Sequence, residues 1–397
     1  MALQRNRLQR SGPYDAAERA VLDRAGAAAA RAEIARWPGY APTPLRPLAA
    51  LARRLGIARI DYKDEAGRFG LGSFKALGGA YAVFRLLAGQ VARATGAAPS
   101  SADLLAGRHR AATQAITVTT ATDGNHGRSV AWAARLFHCR CVIYLHATVS
   151  AARTEAIARH GAEIVRVPGN YDAAVRAAAA DAARLGRLVV SDTSYPGYMD
   201  VPRHVMQGYT VMVAEALEQL AAHGAPPPSH VFVQGGVGAL PAAVTAQLWD
   251  TLPERPCVVV VEPETAACLF ASAAAGHPVA VDGDLDTIMA GLACGEVSAL
   301  AWSILAPGAT AFMTIPDAAA EEAMRLLAGL APPIVGGESG VAGLAGLLRV
   351  AARPDWRAAI GLDAAARVLL IGSEGATDPE SYRRIVGQPP GSVAGQP

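Results

Sequence analysis

"AITVTTATDGNHGRSVAWAARLFHCRCVIYLH", residues 115–146, passes from a β-rich run through a glycine turn into a helix-spaced run and back to a β-rich run. Ala115–Thr122 is rich in threonine. Asn125–Phe137 brings Val130, Ala134 and Phe137 to one helical face, and Arg140–His146 has a strand pattern. The alternation continues outward. A helix over 151–161 ends on Gly161, a strand covers 162–169, a helix over 171–186 ends on Gly186, and a strand covers 187–193. After the Pro-rich 221–229 it resumes with strands at 230–236, 257–263 and 366–375 and helices at 241–252, 316–330 and 340–352. Such alternation predicts a mostly parallel sheet covered by helices, and the break at 221–229 predicts two α/β lobes. Residues 95–107 read as a loop, the first ten as a frayed basic terminus, and 387–397 as a disordered tail.

The 397 residues suffice for two or three domains, and 52% hydrophobic with 18% charged residues is the composition of a packed globule. A net charge of +2, with Arg and Lys scattered, argues against nucleic acid as a partner. No apolar stretch is long and charge-free enough to span a bilayer, so no membrane partner is expected. The five cysteines fit no zinc spacing, no metal site is expected, and without a visible signal peptide the default compartment is a reducing cytoplasm.

Ligands of open parallel sheets bind beyond the carboxyl ends of strands, and four such ends carry chemistry. In "FGLGSFKALGGAYAVF" (69–84), Lys75 opens a helical run, with Ser73 placed to cap it. The positive end of the helix dipole and partial burial both disfavour an ammonium there. A neutral lysine amine attacks carbonyls to make a Schiff base. Read alone, it is more often a snorkelling surface lysine. A second strand ends at Thr122, and Asp123-Gly124-Asn125-His126-Gly127 turns into a helix. That turn is an anion site or an ordinary cap.

A third strand runs into Gly235-Gly236-Val237-Gly238-Ala239 and a helix, whose N–H groups suit a phosphate, although the motif is neither GxGxxG nor a Walker loop. A fourth ends at Gly372-Ser373-Glu374-Gly375, where the hydroxyl can meet a ring nitrogen as donor or acceptor. Asp192 ends another strand, and Glu338-Ser339 precedes a glycine and a helix. An amine, a phosphate cradle, an asparagine and a late serine are the parts needed to hold pyridoxal phosphate.

The order SxK, GNHG, glycine loop and late serine resembles the fold-type II pyridoxal-phosphate enzymes. "TATDGNHGRSVAWAA", "SDTSYPGYMDVPRHVMQGYTVM", "IMAGLACGEVSALAW" and "GSEGATDPESYR" narrow this to the diaminopropionate ammonia-lyase group. The resemblance implies an α/β fold of two open, twisted, mostly parallel sheets flanked by helices, with the active site between two lobes. Residues 1–89 and 206–397 would form the larger, cofactor-binding domain and 90–205 a smaller mobile one. It implies pyridoxal 5'-phosphate as cofactor, an amino-acid substrate and a homodimer.

By the same resemblance Lys75 is the Schiff-base lysine, with Phe74 beside it. Asn125 contacts the phenolic oxygen. Gly235, Gly236, Val237, Gly238 and Ala239 hold the phosphate, and Ser373 faces the pyridine nitrogen. Lys75, Asp123 and Asp192 would be catalytic, with Ser73, Thr122, Asp123, Asp192 and Glu338 near the substrate. The implied reaction is α,β-elimination of 2,3-diaminopropionate, in its L and by extension D form, to pyruvate and two ammonia. The rival is a serine, threonine or hydroxyaspartate dehydratase of the same fold. "SYPGY" after Asp192 departs from the pattern associated with the group.

Overall fold

Strands, in chain order, are β1 (Ala2–Arg5), β2 (Leu45–Pro47), β3 (Arg59–Asp64), β4 (Thr117–Ala121), β5 (Arg140–His146), β6 (Glu163–Val167), β7 (Leu188–Val189), β8 (His230–Gln234), β9 (Cys257–Pro263), β10 (Ala311–Ile315) and β11 (Arg367–Gly372) in the computed structural model, which describes residues 1–122 and 124–394. The chain divides into two units. One comprises 1–24, 42–67 and 212–397, the other 25–41 and 68–211.

The first unit holds a seven-stranded sheet in the order β1-β10-β9-β8-β11-β3-β2. The five central strands are parallel, and the edges β1 and β2 are antiparallel to their neighbours. β8 and β10 are buried along their whole length and β9 in all but its first residue, as expected where helices cover both faces. Their side chains, with Tyr62, Leu344, Leu347 and Tyr382, form the core of this unit. The second unit holds a four-stranded parallel sheet, β6-β5-β4-β7, with Val142 and Tyr144 packed on Ala174 and Ala178 of the helix Tyr171–Leu185. Both sheets are thus mostly parallel and helix-flanked, the α/β class expected.

Some expectations need correction. The N-terminal residues are not frayed, because Ala2–Arg5 pairs with Ala311–Thr314 as an edge strand. Residues 95–107 are not all loop. Ser100 and Asp103 form a reciprocal capping box that starts the helix Ser101–Leu105. The tail is not wholly disordered, since Pro390–Ala394 is helical with Val393 buried. Residues 25–41, 206–211 and 68–89, expected in the larger domain, lie in the second unit. The helix Lys75–Thr95 packs there against the helix Asn125–Leu136.

Candidate active site

Lys75 is the first residue of its helix. Ser73 does not cap it. Phe74 occupies the N-cap position with helical backbone and no side-chain cap, while Ser73 is buried. The approach is fixed from the neighbouring helix, whose Arg128 donates to Leu71 O at 2.7 Å. The glycines after Lys75 serve close packing. A Cβ on Gly78 would stand 2.5 Å from the Tyr209 ring and 2.6 Å from Val205 O. Only a bare backbone lets the Lys75 helix lie so near the helix Asp200–Ala222.

The Lys75 amine is 2.7 Å from Asp192 Oδ2, and neither side chain is more than 18% exposed. It also lies 5.4 Å from the Phe74 ring and 5.9 Å from the Tyr209 ring, which contact each other at 4.5 Å. Burial opposes the charge on Asp192, but Lys75 and then His126 overcome it and hold the carboxyl well below the usual range. Burial pushes the Tyr209 phenol up, with Lys75 opposing the shift. His126 Nε2 lies 2.8 Å from Val190 O and therefore donates. Burial lowers its pKa, with Asp192 opposing the shift.

Asp192 stands on a braced loop. The Tyr198 hydroxyl donates to Val189 O (2.9 Å) and accepts from Ser191 N–H (3.0 Å), and its ring stacks on Tyr195. The stretch that departs from the family pattern is thus what holds this acid's backbone. Thr122 Oγ1 accepts from Gly124 N–H and Gly127 N–H, at 3.0 and 3.1 Å, and so starts the helix on which Asn125 is the first residue. Asp123 lies outside the described residues.

The other candidates belong to the first unit. Gly235 N–H donates to Val261 O at 2.8 Å, and a Cβ there would stand 2.8–2.9 Å from Val260, Glu262 and Leu269. Gly238, at φ +101, is the N-cap of Ala239–Thr251 and offers no side-chain cap. The first-turn N–H groups of that helix, Ala239 included, are left for an anion. Glu262, fully buried, accepts from Leu269 N–H (2.9 Å) and Phe270 N–H (2.7 Å), and burial pushes its carboxyl up to about 8. Cys268 and Cys294, neither in a disulfide, flank Gly236.

Ser373, 3% exposed, follows β11 and accepts from Gln234 Nε2 at 2.5 Å. Glu374 accepts from Ser339 N–H at 3.0 Å, and Glu338 is buried beside Ser339. Sequence reasoning did not single out Tyr198, Tyr209 or Gln234. Only the position of Gln234, at a strand end before a glycine turn, offered a signal. No group of acidic, histidine and cysteine side chains suited to a metal occurs among the described residues.

An uncapped helix start behind a glycine turn fits a phosphate, and a buried amine fits an aldehyde. The chain belongs to the family of pyridoxal-phosphate-dependent enzymes, whose model matches residues 36–373. It is an enzyme whose cofactor is pyridoxal 5'-phosphate. It is 41% identical over 359 residues to the diaminopropionate ammonia-lyase of Salmonella typhimurium, covering 88% of this chain and 89% of that protein. The Escherichia coli K12 enzyme of that name is 40% identical, with 90% of each covered. The holo E. coli crystal structure superposes with a TM-score of 0.87 at 37% identity over 97% of this chain and 96% of that one. A second structure of it, in complex with D-serine, has the same TM-score at 36% identity and the same coverage.

Proposed function

We propose that the enzyme eliminates the β-amino group of 2,3-diaminopropionate: 2,3-diaminopropionate and water give pyruvate and two ammonia. The observation that carries this reading is the Asp192 carboxyl group 2.7 Å from the Lys75 amine. An amine must leave as ammonia, because the amide anion is far too basic. A carboxylate held charged beside the reacting amine suits an ammonium, whereas a departing hydroxyl has less use for it. The identity to the ammonia-lyases over nine-tenths of the chain supports the same conclusion.

Bound pyridoxal phosphate supplies an aldehyde for the substrate's α-amine and a conjugated ring that spreads the charge left on the α-carbon. In this reading the phosphate takes the Gly235–Gly238 turn and the Ala239 helix start, Asn125 meets the phenolic oxygen, and Ser373 the ring nitrogen. Lys75 would hold the aldehyde in the resting enzyme and, as a neutral amine, would remove the α-proton of the L-substrate. Lys75 would return that proton to the β-nitrogen, Asp192 would hold the ammonium so formed by charge, and it would leave as ammonia when the Cβ–N bond breaks. The released 2-aminopropenoate tautomerises and hydrolyses to pyruvate and the second ammonia. Asp123 takes the α-proton of the D-substrate from the opposite face, and Ser73, Thr122 and Glu338 line the substrate.

No helix of the described residues is long and apolar enough to cross a membrane. Five cysteines outside any disulfide suit a cytoplasmic setting, and a homodimer follows from the family resemblance, to be read by light scattering. The deciding experiment measures ammonia per keto acid over a panel of L- and D-2,3-diaminopropionate, serine and threonine. Two ammonia from the diamino acid support the proposal. Turnover confined to hydroxy amino acids, at one ammonia each, replaces it with the dehydratase. Lys75→Ala should lose turnover and the near-ultraviolet and visible absorbance of the lysine-bound cofactor.

A further inference from the structure

Gln234 ends β8, one residue before the glycine turn. Its Nε2 lies 2.9 Å from Ile371 O, 3.5 Å from Gly340 O and 2.5 Å from Ser373 Oγ. Main-chain carbonyls only accept, so the NH2 end of the amide must be the end facing Ile371 and Gly340. Oε1 then points toward Gly343, where a Cβ would stand 3.4 Å away, and it has no hydrogen-bond partner among the described residues. A buried amide that forgoes one of its own bonds is held there by the bonds its other end makes. Its two protons go to Ile371 O and Ser373 Oγ, the two nearest acceptors. A hydroxyl that accepts from this side keeps its own proton for something else, and no acceptor for it occurs among the described residues.

We propose that Gln234 is a positioning residue that fixes Ser373 as a hydrogen-bond donor, so that the cofactor atom meeting Ser373 must be an acceptor, an unprotonated ring nitrogen. The serine alone leaves the direction of that hydrogen bond open, because a hydroxyl can accept from a pyridinium as readily as it donates to a pyridine. The amide takes up one of the two lone pairs of the hydroxyl oxygen, and because no other hydrogen bond uses the hydroxyl proton among the described residues, the donor role is the one left toward the ring nitrogen. This inference rests on the cofactor orientation of the proposed function, but not on the identity of the substrate.

The full-length chain is reconstituted with pyridoxal phosphate labelled with nitrogen-15 in the ring, and the ring-nitrogen chemical shift is read by NMR in the wild type, Gln234→Met, Gln234→Glu and Ser373→Ala. The wild type should show an unprotonated nitrogen accepting a hydrogen bond. Gln234→Met frees the Ser373 proton to turn toward Ile371 O, and its shift should move toward that of Ser373→Ala. Gln234→Glu keeps the size of the side chain but has at most one proton for two acceptors, and should move the same way. Cofactor affinity of the apo protein gives a second readout. Gln234→Met should weaken it by up to about tenfold, one neutral hydrogen bond, and should add nothing in the Ser373→Ala background.

Wild-type shifts in both Gln234 variants, additive losses of affinity, or a protonated ring nitrogen in the wild type would each overturn the proposal. Failure of the wild type to bind pyridoxal phosphate would remove it together with its premise. Turnover of hydroxy amino acids alone would sink the proposed substrate and leave the Gln234 comparison decisive.

Discussion

Gly208 lies flat against Leu77: a Cβ on the glycine would stand 2.6 Å from the Leu77 carbonyl carbon and 2.8 Å from Gly78 Cα. Two residues before that contact is Lys75. The spacing of the two helices therefore sets where the amine emerges. Gly208→Ala should cost about 1–3 kcal/mol, the usual range for overpacking, and should weaken cofactor binding as the Lys75 helix is pushed away. Thermal melts and absorbance titrations measure both. A variant that melts and binds as the wild type does would show the contact to be soft.

Asp192 has a pH signature. Its folded pKa is depressed, so its contribution to stability is complete above the unfolded value near 4 and is lost as pH falls through that value toward the folded one. Asp192→Asn also removes the ion pair to Lys75, and should cost about 3 kcal/mol at pH 7. The gap from the wild type should narrow steadily below about pH 4. Denaturant melts at pH 7 and in acid decide it. A gap independent of pH would mean that the ion pair contributes nothing.

Asp123 takes the D-face of the substrate in the proposed mechanism. Asp123→Asn should then reduce kcat for D-2,3-diaminopropionate by roughly 100-fold or more, the range for loss of a general base, and spare the L-isomer by comparison. Parallel kinetics on the two isomers measure the difference. Equal losses would leave one base serving both faces.

Glu262 titrates behind the phosphate turn at about 8. Its folded value is raised, so the folded chain holds the extra proton, and stability falls as pH rises between about 4 and 8. Above that range a full negative charge stands against Gly235, and the affinity for a phosphate-bearing cofactor should drop several-fold. Glu262→Gln should flatten the profile. Cofactor titrations from pH 6 to 9 on both proteins provide the comparison.

β5 and β9 were legible to the residue, because each is an apolar run bounded by polar or turn residues. β3 was not. "RIDYKD" carries four charges and looks like surface, yet Lys63 is fully buried and donates to Glu215 Oε2 at 2.8 Å, 152 residues away. β1 and β2 are short and polar, and exist through their partners rather than their own propensity. In the site, Lys75 and the 235–238 turn are local signals: a charge at a helix start, and glycines between a strand and a helix. The hydroxyl of Tyr198 and the amide of Gln234 act through groups chosen by the fold. Gln234 and Ser373 meet across 139 residues of chain, a distance no spacing rule reads.

The edge strand Ala2–Arg5 covers β10 on the side that no other strand of that sheet occupies. Trimming those few residues would bare a row of main-chain donors and acceptors along Ala311–Thr314, a template for a strand from another molecule. The strand Ala2–Arg5 thus shields that sheet edge against edge-to-edge aggregation, and a truncation that removed it would put the enzyme's solubility at risk.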